Sequence, residues 1–449
     1  MANKLQMAQQ IGSISARDKL VIEHQGKDNG NVLFVWEDTE IKERFITVEI
    51  ANDGKLMRLE KENVISENRS LSEVYLKEKV LQFVGDHYPN AAEKFVSLEK
   101  KVTDHTIQYT YSQTVLGLPL PQTGFLVTIM RSGVIKYFRY YGMTDSYSIP
   151  KQIADKQQMI SDYLQEVKFK LCIAECNDLL HLAYEPLSPF LCYQPADLSK
   201  KKETIDMKED DGDTEITKLP LLVDHENVVN INDMIGFDHA SFRKIRESDL
   251  GTMIGTVWRK GNEPQSIERS LDGYFKNRNQ NTLKIMTDKK TGKLRGVMSL
   301  IECDGPSVWT IEACRKRALQ FLYQLYPFAE QFFHIHPSDN QEAEKKTFFQ
   351  FDTMYKGVPV RSGVVNIGIS RVTGHVVVFQ CPETDLDILE CLNLSPSISI
   401  EEAKAIFNAA FDVKLEWLKD EGEKYKLVYR LVFPDLIDAH SGQLCHVVF

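Results

Sequence analysis

The feature that most constrains this chain is an internal duplication. Val35-Trp36 recurs as Val257-Trp258, and the segment LQFVGDHYP at 81–89 recurs as LQFLYQLYP at 319–327. Further matches keep the same order: Ile11-Gly12 with Ile235-Gly236, Asp53-Gly54-Lys55-Leu56 with Thr291-Gly292-Lys293-Leu294, Gly117-Leu118-Pro119-Leu120 with Gly357-Val358-Pro359-Val360, Ser148-Ile149 with Ser399-Ile400, and Leu182-Ala183-Tyr184 with Leu427-Val428-Tyr429. Because the offset drifts only through short loop insertions, we predict two copies of one fold.

A charged segment separates the two copies. In SKKKETIDMKEDDGDTEITK, at 199–218, apolar residues become scarce and charges cluster, which is typical of a solvated linker. The same blocks of charge could instead act as an interaction tag. We therefore predict a first repeat over 1–198, a charged linker over 199–222 and a second repeat over 223–449.

The clearest strand pattern of the second copy runs from Thr347 to Phe379. Apolar side chains alternate before Gly357 and again after Pro359, and the pair Thr373-Gly374 then predicts a hairpin turn into a return strand. Glycine tolerates positive φ and proline supplies no N–H, so we expect the chain to leave the regular ladder at Gly357-Val358-Pro359, and an edge to open there.

Two helices are predicted in each copy. Ser70 with Glu73, and Ser399 with Glu402, have the spacing of a capping box. Apolar residues at helical spacing define one face from Ile311 to Leu325, and another from Ile400 to Phe411. Strands follow one another with few helices between them, which indicates antiparallel sheets and an α+β fold.

Composition excludes several classes of function. The 449 residues carry a net charge of -10, which disfavours non-specific nucleic-acid binding. The sequence contains no apolar run long enough for a membrane helix and no secretory signal, so we expect a cytoplasmic protein that does not contact membranes. The 8 cysteines lack a C-x-x-C pair, and we expect reduced, buried thiols.

Motifs for catalysis and cofactor binding are absent from the sequence. It contains no G-x-S-x-G, P-loop or G-x-G-x-x-G pattern, and His225-Glu226 is followed by Val229 where a zinc protease would have its second histidine. His334 and His336, near Asp339, could bind one metal ion from a strand face. Their first-copy counterparts, near Val96 and Leu98, are apolar, so we expect structural histidines, no metal and no cofactor.

A pair of cysteines and a tyrosine-rich stretch each have a structural and a functional interpretation. Cys172 and Cys176 lie four residues apart, but the run from Val167 to Ala174 predicts a strand, and no histidine completes a metal site. The tyrosines from Tyr137 to Tyr147 could form an aromatic binding platform; they also fit a sheet face with an exposed rim, which we favour.

The second copy resembles a pair of known modules. The series from Phe349 to Phe379, with Y-K-G-V-P-V and a T-G turn, resembles the propeptide motif of fungalysin and thermolysin-type proteases. The segments I-S-I-E-E-A-K-A-I-F at 398–407, KYKLVYRLVF, and I-D-A-H-S-G-Q-L at 437–444 resemble a PepSY domain. Two such pairs in tandem are similar to the YcdB/YcdC repeat family of Bacillus-type bacteria. The first copy departs from the pattern, since its turn lacks one residue and its end has lost the Ser-Gly turn.

This resemblance implies curved antiparallel sheets, each packed against helices, in two propeptide/PepSY-like repeats. In protease precursors such modules inhibit the protease and assist its folding. We therefore predict a non-catalytic protein that binds a protein or an extended peptide, with a protease among the candidate partners and inhibitory or chaperone-like action as its possible roles. We place the partner at Tyr355, Gly357, Pro359 and Arg361.

Two alternatives stay open at this point. The chain could be an enzyme or small-ligand receptor with its site in a cleft between the halves, where pockets commonly form. It could also use its repeats for self-association.

Overall fold

The structure is a computed structural model of the chain. The described residues are 2–26, 30–41, 44–64, 70–176, 179–187, 193–196, 217–220, 229–262, 269–336, 341–343, 345–382, 386–420, 422–434 and 436–445. His225, Glu226, Asp339, Cys192 and nearly all of the predicted linker lie outside them.

The first repeated region forms one antiparallel sheet with helices. Its elements are α1 (Ala2–Gly12), β1 (Asp18–Gln25), β2 (Val32–Asp38), β3 (Phe45–Ile50), β4 (Leu56–Lys61), α2 (Glu73–His87), α3 (Ala91–Lys94), β5 (Val96–Val102), β6 (Thr106–Ser112), β7 (Thr114–Val115), β8 (Leu118–Pro119), β9 (Gly124–Met130) and β10 (Ile135–Gly142).

A second group of elements follows the first sheet and precedes the second. It comprises β11 (Tyr147–Ser148), α4 (Lys156–Glu166), β12 (Lys168–Cys176), β13 (Leu179–Leu187), β14 (Tyr193–Pro195) and β15 (Thr217–Lys218).

The second repeated region has the elements α5 (Ile231–Met234), β16 (Phe242–Asp249), β17 (Met253–Lys260), α6 (Leu271–Asn279), β18 (Thr282–Asp288), β19 (Leu294–Ser299), α7 (Ile311–Leu325), α8 (Ala329–Phe332), β20 (Phe333–Ile335), β21 (Gln341–Ala343), β22 (Lys346–Tyr355), β23 (Val358–Ser370) and β24 (Val376–Gln380). The chain continues through α9 (Leu386–Leu389), α10 (Ile400–Ala410), β25 (Asp412–Lys419), β26 (Tyr425–Val432), β27 (Leu436–Asp438) and β28 (Leu444–Cys445).

The two large sheets share one topology. The first has the order β1-β2-β3-β4-β10-β9-β6-β5, and the second begins β16-β17-β18-β19-β24-β23 and continues through β22 to β20. In both, the fourth strand pairs with the last strand of the region, and the strand after the helices, β5 or β20, lies at the far end of this order. In the second sheet, β15 also pairs with the outer side of β20. The coarse prediction of antiparallel sheets with helices, in two repeated regions, is thereby confirmed.

Local sequence signals explain most element boundaries. Ser399 and Glu402 form the predicted capping box at the start of α10. At α2 the predicted N-cap was wrong by two residues: the N-cap is Ser72, whose side chain accepts from the Tyr75 N–H, rather than Ser70. The Lys356-Gly357 turn has φ of +48° and +84° at its two residues, which fits a tight hairpin turn between β22 and β23.

The segments that follow each sheet exchange strands. β14, from the first half, pairs with β26 of the second half, while β27 of the second half pairs with β13 of the first. In addition β12 pairs in parallel with β23 through Ile173 and Val360. Strands from both predicted repeats, 1–198 and 223–449, are thus hydrogen-bonded into common sheets, so the division at 199–222 does not separate independent sheets.

Two main cores reflect this arrangement. Residues of the first sheet and α2 form one cluster, which includes Phe34, Trp36, Val80 and Phe138. The other cluster joins side chains of the second sheet with those of 154–196 and 403–439. The elements after β10 therefore belong, by packing, with the second half of the chain.

Candidate functional site

Of the four predicted partner-binding residues, Arg361 contacts the first half of the chain, whereas the contacts of Tyr355 and Pro359 lie within the second half. Tyr355 is buried, and its ring stacks on Phe332 with the ring centres 5.9 Å apart. The Nε atom of Arg361 is 3.5 Å from a carboxylate oxygen of Glu185 in the first half. Pro359 is paired with Met354 across the hairpin. Gly357 is exposed in the turn.

The expected open edge at Gly357-Val358-Pro359 is wrong. β23 pairs with β22 from its first residue, Val358, and Val360 is bonded on the other side to β12. A two-residue turn with positive φ allows proline to follow directly in a strand, because the glycine absorbs the reversal. The contact between the copies is therefore made after the hairpin tip, at Val360 and Arg361.

The paired histidines have different surroundings. The Nδ1 atom of His336 lies 2.7 Å from a carboxylate oxygen of Asp352. His334 stands opposite Asp352 in the strand register, and burial lowers the pKa of its imidazole. Its Nδ1 atom is buried and has no hydrogen-bond partner among the described residues. The arrangement is a His336–Asp352 hydrogen bond beside a partly buried ring.

The tyrosine-rich stretch is used largely for packing. Tyr140 stacks on Tyr88 with ring centres 3.6 Å apart, and Tyr147 packs edge-on against Trp417. Arg139, which precedes Tyr140 in the sequence, donates a hydrogen bond from its guanidinium group to a carboxylate oxygen of Glu49 at 2.6 Å. Tyr141 is the more open member, with 42% of its surface exposed. These contacts match the sheet-face interpretation.

The far edges of the two sheets differ, although they occupy the same place in the topology. In the second sheet the edge strand β20 is covered by β15, with Thr217 opposite Ile335 and Lys218 opposite His334. Leu219, next to β15, is 5% exposed and joins the core. The Tyr323 hydroxyl donates to the Pro220 carbonyl at 3.0 Å. The added strand is therefore held by a buried side chain and a hydrogen bond.

In the first sheet the corresponding edge strand is β5. It pairs with β6 from Val96 to Val102, and within the described part of the chain no strand covers its other side. All seven residues of β5 are exposed. An edge of this kind presents unpaired backbone N–H and C=O groups.

Apolar side chains along β5 distinguish it from a protected edge. Val96, Leu98 and Val102 are 52%, 43% and 49% exposed. Sequence reasoning treated Val96 and Leu98 only as apolar counterparts of the histidines. The signal that could have revealed the edge is the run VSLEKKV, in which apolar and polar residues mix as in a strand while no glycine or proline blocks pairing.

Charges limit how β5 can be approached. Lys100 forms an ion pair with Glu73 at the start of α2, and this pairing, with a smaller contribution from Arg131, lowers the pKa of the Glu73 carboxyl. Lys101 lies 3.5 Å from Glu99. The two lysines of β5 are thus paired with acids, Lys100 with Glu73 of α2 and Lys101 with Glu99 of β5 itself. The apolar side chains and backbone groups of β5 are therefore its main points of contact.

A cavity of about 810 Å³ lies in the second repeated region. Its walls come from the β18–β19 hairpin, the end of α7 and the region of α8, and include Asp288, Lys293, Tyr326 and Phe328. All of its lining residues belong to the second repeat. This cavity therefore does not lie in the expected cleft between the two halves.

Within the described residues, no helix is both long enough and apolar enough to cross a membrane.

Comparison with known proteins places the chain beside a repeat family. The model of the YcdB, YcdC repeated domain matches residues 2–142 and again residues 227–383. The uncharacterized protein YcdB of Bacillus subtilis (strain 168) is 37% identical over 98% of this chain and 96% of its own length. The uncharacterized protein YcdC of the same organism is 36% identical over 96% of both chains.

One solved structure that the comparison matches to this chain is the Bacillus megaterium YpeB C-terminal domain. It is 18% identical, covers 45% of this chain and 96% of that chain, and has a TM-score of 0.28. The family matches confirm the expected resemblance to the YcdB/YcdC repeat family and the presence of two copies, at residues 2–142 and 227–383.

Proposed function

The chain belongs to the family of the YcdB, YcdC repeated domain, and from this premise we propose that it is a non-catalytic protein that binds an extended peptide or protein strand. The binding element is the edge strand β5 of the first sheet. The bound segment would add to β5 as a further antiparallel or parallel strand, which is the recognition mode called β-augmentation.

The observation that supports this proposal is the contrast between two equivalent edges. The second sheet already carries an added strand, since β15 lies on β20. The first sheet has the same topology, and β5 is left with one neighbour in the described chain. The chain thus contains its own example of the complex that we propose for β5.

The chemistry of the edge indicates the class of ligand. Backbone groups of a peptide would satisfy those of β5, while Leu98 and Val102 would contact apolar side chains at alternate positions of the peptide. The register shift between Ser97 and Glu99 places Val96 on the other face of the sheet. Glu99 and Lys101 carry opposite charges, so the edge selects neither a strongly acidic nor a strongly basic partner. We expect an extended segment with alternating apolar residues.

The resemblance to protease propeptides supports a protease, or an unfolded chain, as the source of that segment. Both contain segments that can be bound in extended form. Binding such a segment of a protease would be inhibitory, and binding one of an unfolded chain would be chaperone-like. The predicted residues Tyr355 and Arg361 do not contribute to this edge; Tyr355 is buried against Phe332, and Arg361 lies at the contact between the halves.

The experiment is a selection of short random peptides displayed on phage, with the full chain as bait. We expect enriched sequences with alternating apolar residues, and weaker binding of their synthetic peptides to the double variant Leu98→Lys, Val102→Lys. Leu250→Lys is the matched control because Leu250 is also half exposed, at 51%, and lies away from β5. N-methylation of alternate peptide nitrogens should abolish binding, since it removes the backbone donors.

Hydrogen exchange should show protection of β5 amides in the complex. Peptides that bind equally well to the double variant, or that tolerate N-methylation at every position, would contradict strand addition to β5.

A second candidate function is small-molecule binding in the cavity of the second repeat. Its volume of about 810 Å³ lies in the range of about 300–1,000 Å³ typical of ligand sites. A metabolite that raises the melting temperature of the chain, but not that of the Phe328→Ala variant, would favour it. Phe328 lines the cavity and is 66% exposed, so its truncation should not disturb the fold.

A further inference from the structure

The end of the second sheet is made from strands of both halves and has two faces of different character. Its strands are β12, β13, β27 and β28, which continue the sheet beyond β23. Ile173, Leu182 and Ile437 point to the main core. A separate cluster of small and sulfur-bearing side chains is formed by Cys172, Ala174, Cys176, Ala183, Leu436 and Cys445. This cluster brings together cysteines that lie more than two hundred residues apart in the sequence.

Metal-ligand atoms converge at the end of this cluster. A ring nitrogen of His181, a carboxylate oxygen of Asp438 and the sulfur of Cys445 all lie within 4.8 Å of one another. The His181 Nδ1 and Asp438 Oδ2 atoms are 2.6 Å apart. The thiol of Cys176 lies in the same buried cluster as that of Cys445. A fourth donor is therefore adjacent to the set of three.

The carboxylate is already oriented toward the other donors. The Oδ1 atom of Asp438 accepts the backbone N–H of His440 at 2.9 Å and that of Ser441 at 2.6 Å. These bonds fix the side chain and leave Oδ2 directed at His181. Outer hydrogen bonds of this kind are what hold metal ligands in place in known sites.

Burial and access also suit a bound ion. Cys176 is 1% exposed, Cys445 is 5% exposed and Asp438 is 6% exposed. The side chain of His181 is 33% exposed and provides a route from solvent. Neighbouring ligand atoms on one zinc ion are separated by about 3–4 Å, given bond lengths of about 2.0–2.3 Å. Small side-chain movements would bring the donors of His181, Asp438 and Cys445 to these distances, and Cys176 lies in the same cluster.

We propose that His181, Asp438 and Cys445, with Cys176 as the fourth ligand, bind a thiophilic divalent cation such as Zn²⁺. The combination of sulfur, imidazole nitrogen and a carboxylate oxygen is the ligand chemistry that tetrahedral zinc sites use. On binding, each thiol loses its proton to solvent and its sulfur forms a bond to the ion. No electron transfer takes place.

The ion would link the two halves of the chain. His181 and Cys176 come from β13 and β12 of the first half, and Asp438 and Cys445 come from β27 and β28 of the second. Because the ligands are assembled only by folding, the ion binds the folded state and stabilises it. This role is structural and is independent of peptide binding at β5.

The test is a titration of the full chain, freed of metal by a chelator and kept under reducing conditions, with Co²⁺ as a spectroscopic probe. We expect a sulfur-to-cobalt charge-transfer band and the visible absorption of tetrahedral Co²⁺, both displaced by Zn²⁺. Zn²⁺ should also raise the melting temperature. The charge-transfer band should be much weaker in Cys445→Ser, and His181→Gln should weaken binding at least about 10-fold.

Cys391→Ser is the matched control, because Cys391 is an exposed free cysteine outside the cluster. It should titrate like the unmodified chain. If Cys445→Ser fails to fold, the decision rests on His181→Gln, whose side chain is partly exposed.

Three results would overturn the proposal: no thiolate band with the unmodified chain, equal binding by His181→Gln, or a Cys176–Cys445 disulfide in the protein isolated under native conditions. Peptide binding that persists after chelation would leave the proposed function intact, so the two ideas fail separately.

Discussion

Tyr184 and Tyr429 occupy matching positions in the two repeats, and each donates its hydroxyl to the opposite half of the chain. Tyr184 donates to the carbonyl of Ile398 at 2.9 Å, and Tyr429 donates to that of Ala154 at 2.8 Å. Both acceptors lie shortly before a helix, α10 and α4 respectively. The two bonds are thus related by an approximate two-fold symmetry.

Backbone bonds repeat the same relationship. The Ala196 N–H donates to Leu427 O at 3.2 Å, and the Ala439 N–H donates to Leu182 O at 2.8 Å. Each half therefore completes a sheet of the other.

We expect Tyr429→Phe to lower the free energy of unfolding by about 1–3 kcal/mol, because it leaves the Ala154 carbonyl buried without its donor. Tyr184→Phe should have a similar effect at Ile398. Urea denaturation followed by tryptophan fluorescence measures both. Tyr141→Phe is the control, since Tyr141 is 42% exposed and should change stability little. Equal midpoints for all three variants would show that the two crossing bonds contribute nothing.

Cutting the chain between the repeats should not separate them. We propose inserting a recognition site for a specific protease within 199–216 and cleaving the folded protein. Because β14 pairs with β26 and β27 with β13, the two fragments should elute together in size-exclusion chromatography and separate only in denaturant. If the two fragments separate under native conditions, the pairing of β14 with β26 and of β27 with β13 is too weak to keep them together.

The sequence predicted the duplication, the main hairpins and the helices, since these follow from local patterns and turn residues. It did not predict the strand exchange. Leu182-Ala183-Tyr184 and Leu427-Val428-Tyr429 have the same alternation, so either strand can accept either partner by pattern alone. For the same reason the proximity of His181 and Cys445 could not be predicted from the sequence. It depends on the pairing of β27, from the second half, with β13 of the first half.

The capping box of α10 should make stability depend on pH. Glu402 accepts the Ser399 backbone N–H at 2.7 Å, and this bond, with a smaller effect of the Ser399 hydroxyl, lowers the pKa of the Glu402 carboxyl below its ordinary value of 4.5. A folded-state pKa below the unfolded value means that this contribution is complete above the unfolded pKa and is lost as pH falls through the folded pKa.

Glu402→Gln should therefore flatten part of the decline in melting temperature between about pH 5 and about pH 3. Thermal unfolding at a series of pH values measures this. Glu401→Gln removes the same charge from the same helical turn without breaking the box, so it should keep the decline of the unmodified chain. An identical acid profile for both variants would argue against a role for the capping carboxylate.

Two glycines with similar backbone conformation should respond differently to substitution. Gly374 and Gly292 have φ of +73° and +69°. A Cβ atom on Gly374 would lie 2.1 Å from the ring of Trp309, whereas one on Gly292 would meet no atom within 4 Å. Gly292→Ala should cost about 1 kcal/mol for its backbone strain. Gly374→Ala should cost about 1–3 kcal/mol more, because the indole must move.

Chemical denaturation of the two variants provides the comparison. The displaced indole should also lose its contact with Arg317, whose guanidinium lies 5.3 Å from the ring centre, and tryptophan fluorescence should report this change. Equal destabilisation by both substitutions would show that the ring moves without cost.

Removing the anchor of β15 should convert the covered edge into one like β5. Leu219 is 5% exposed beside Thr217–Lys218, and Leu219→Ala deletes most of its buried side chain, a change worth about 2–5 kcal/mol in packed cores. Because this energy holds a short surface strand, we expect local release of β15 and faster hydrogen exchange of β20, with little change in the exchange of the first sheet. Leu179→Ala, at a leucine that is 66% exposed, should leave β20 protected.

Peptides selected on β5 should then find a second binding site on the Leu219→Ala variant. If the number of peptides bound per chain stays the same although β20 exchanges faster, an open edge alone does not bind them.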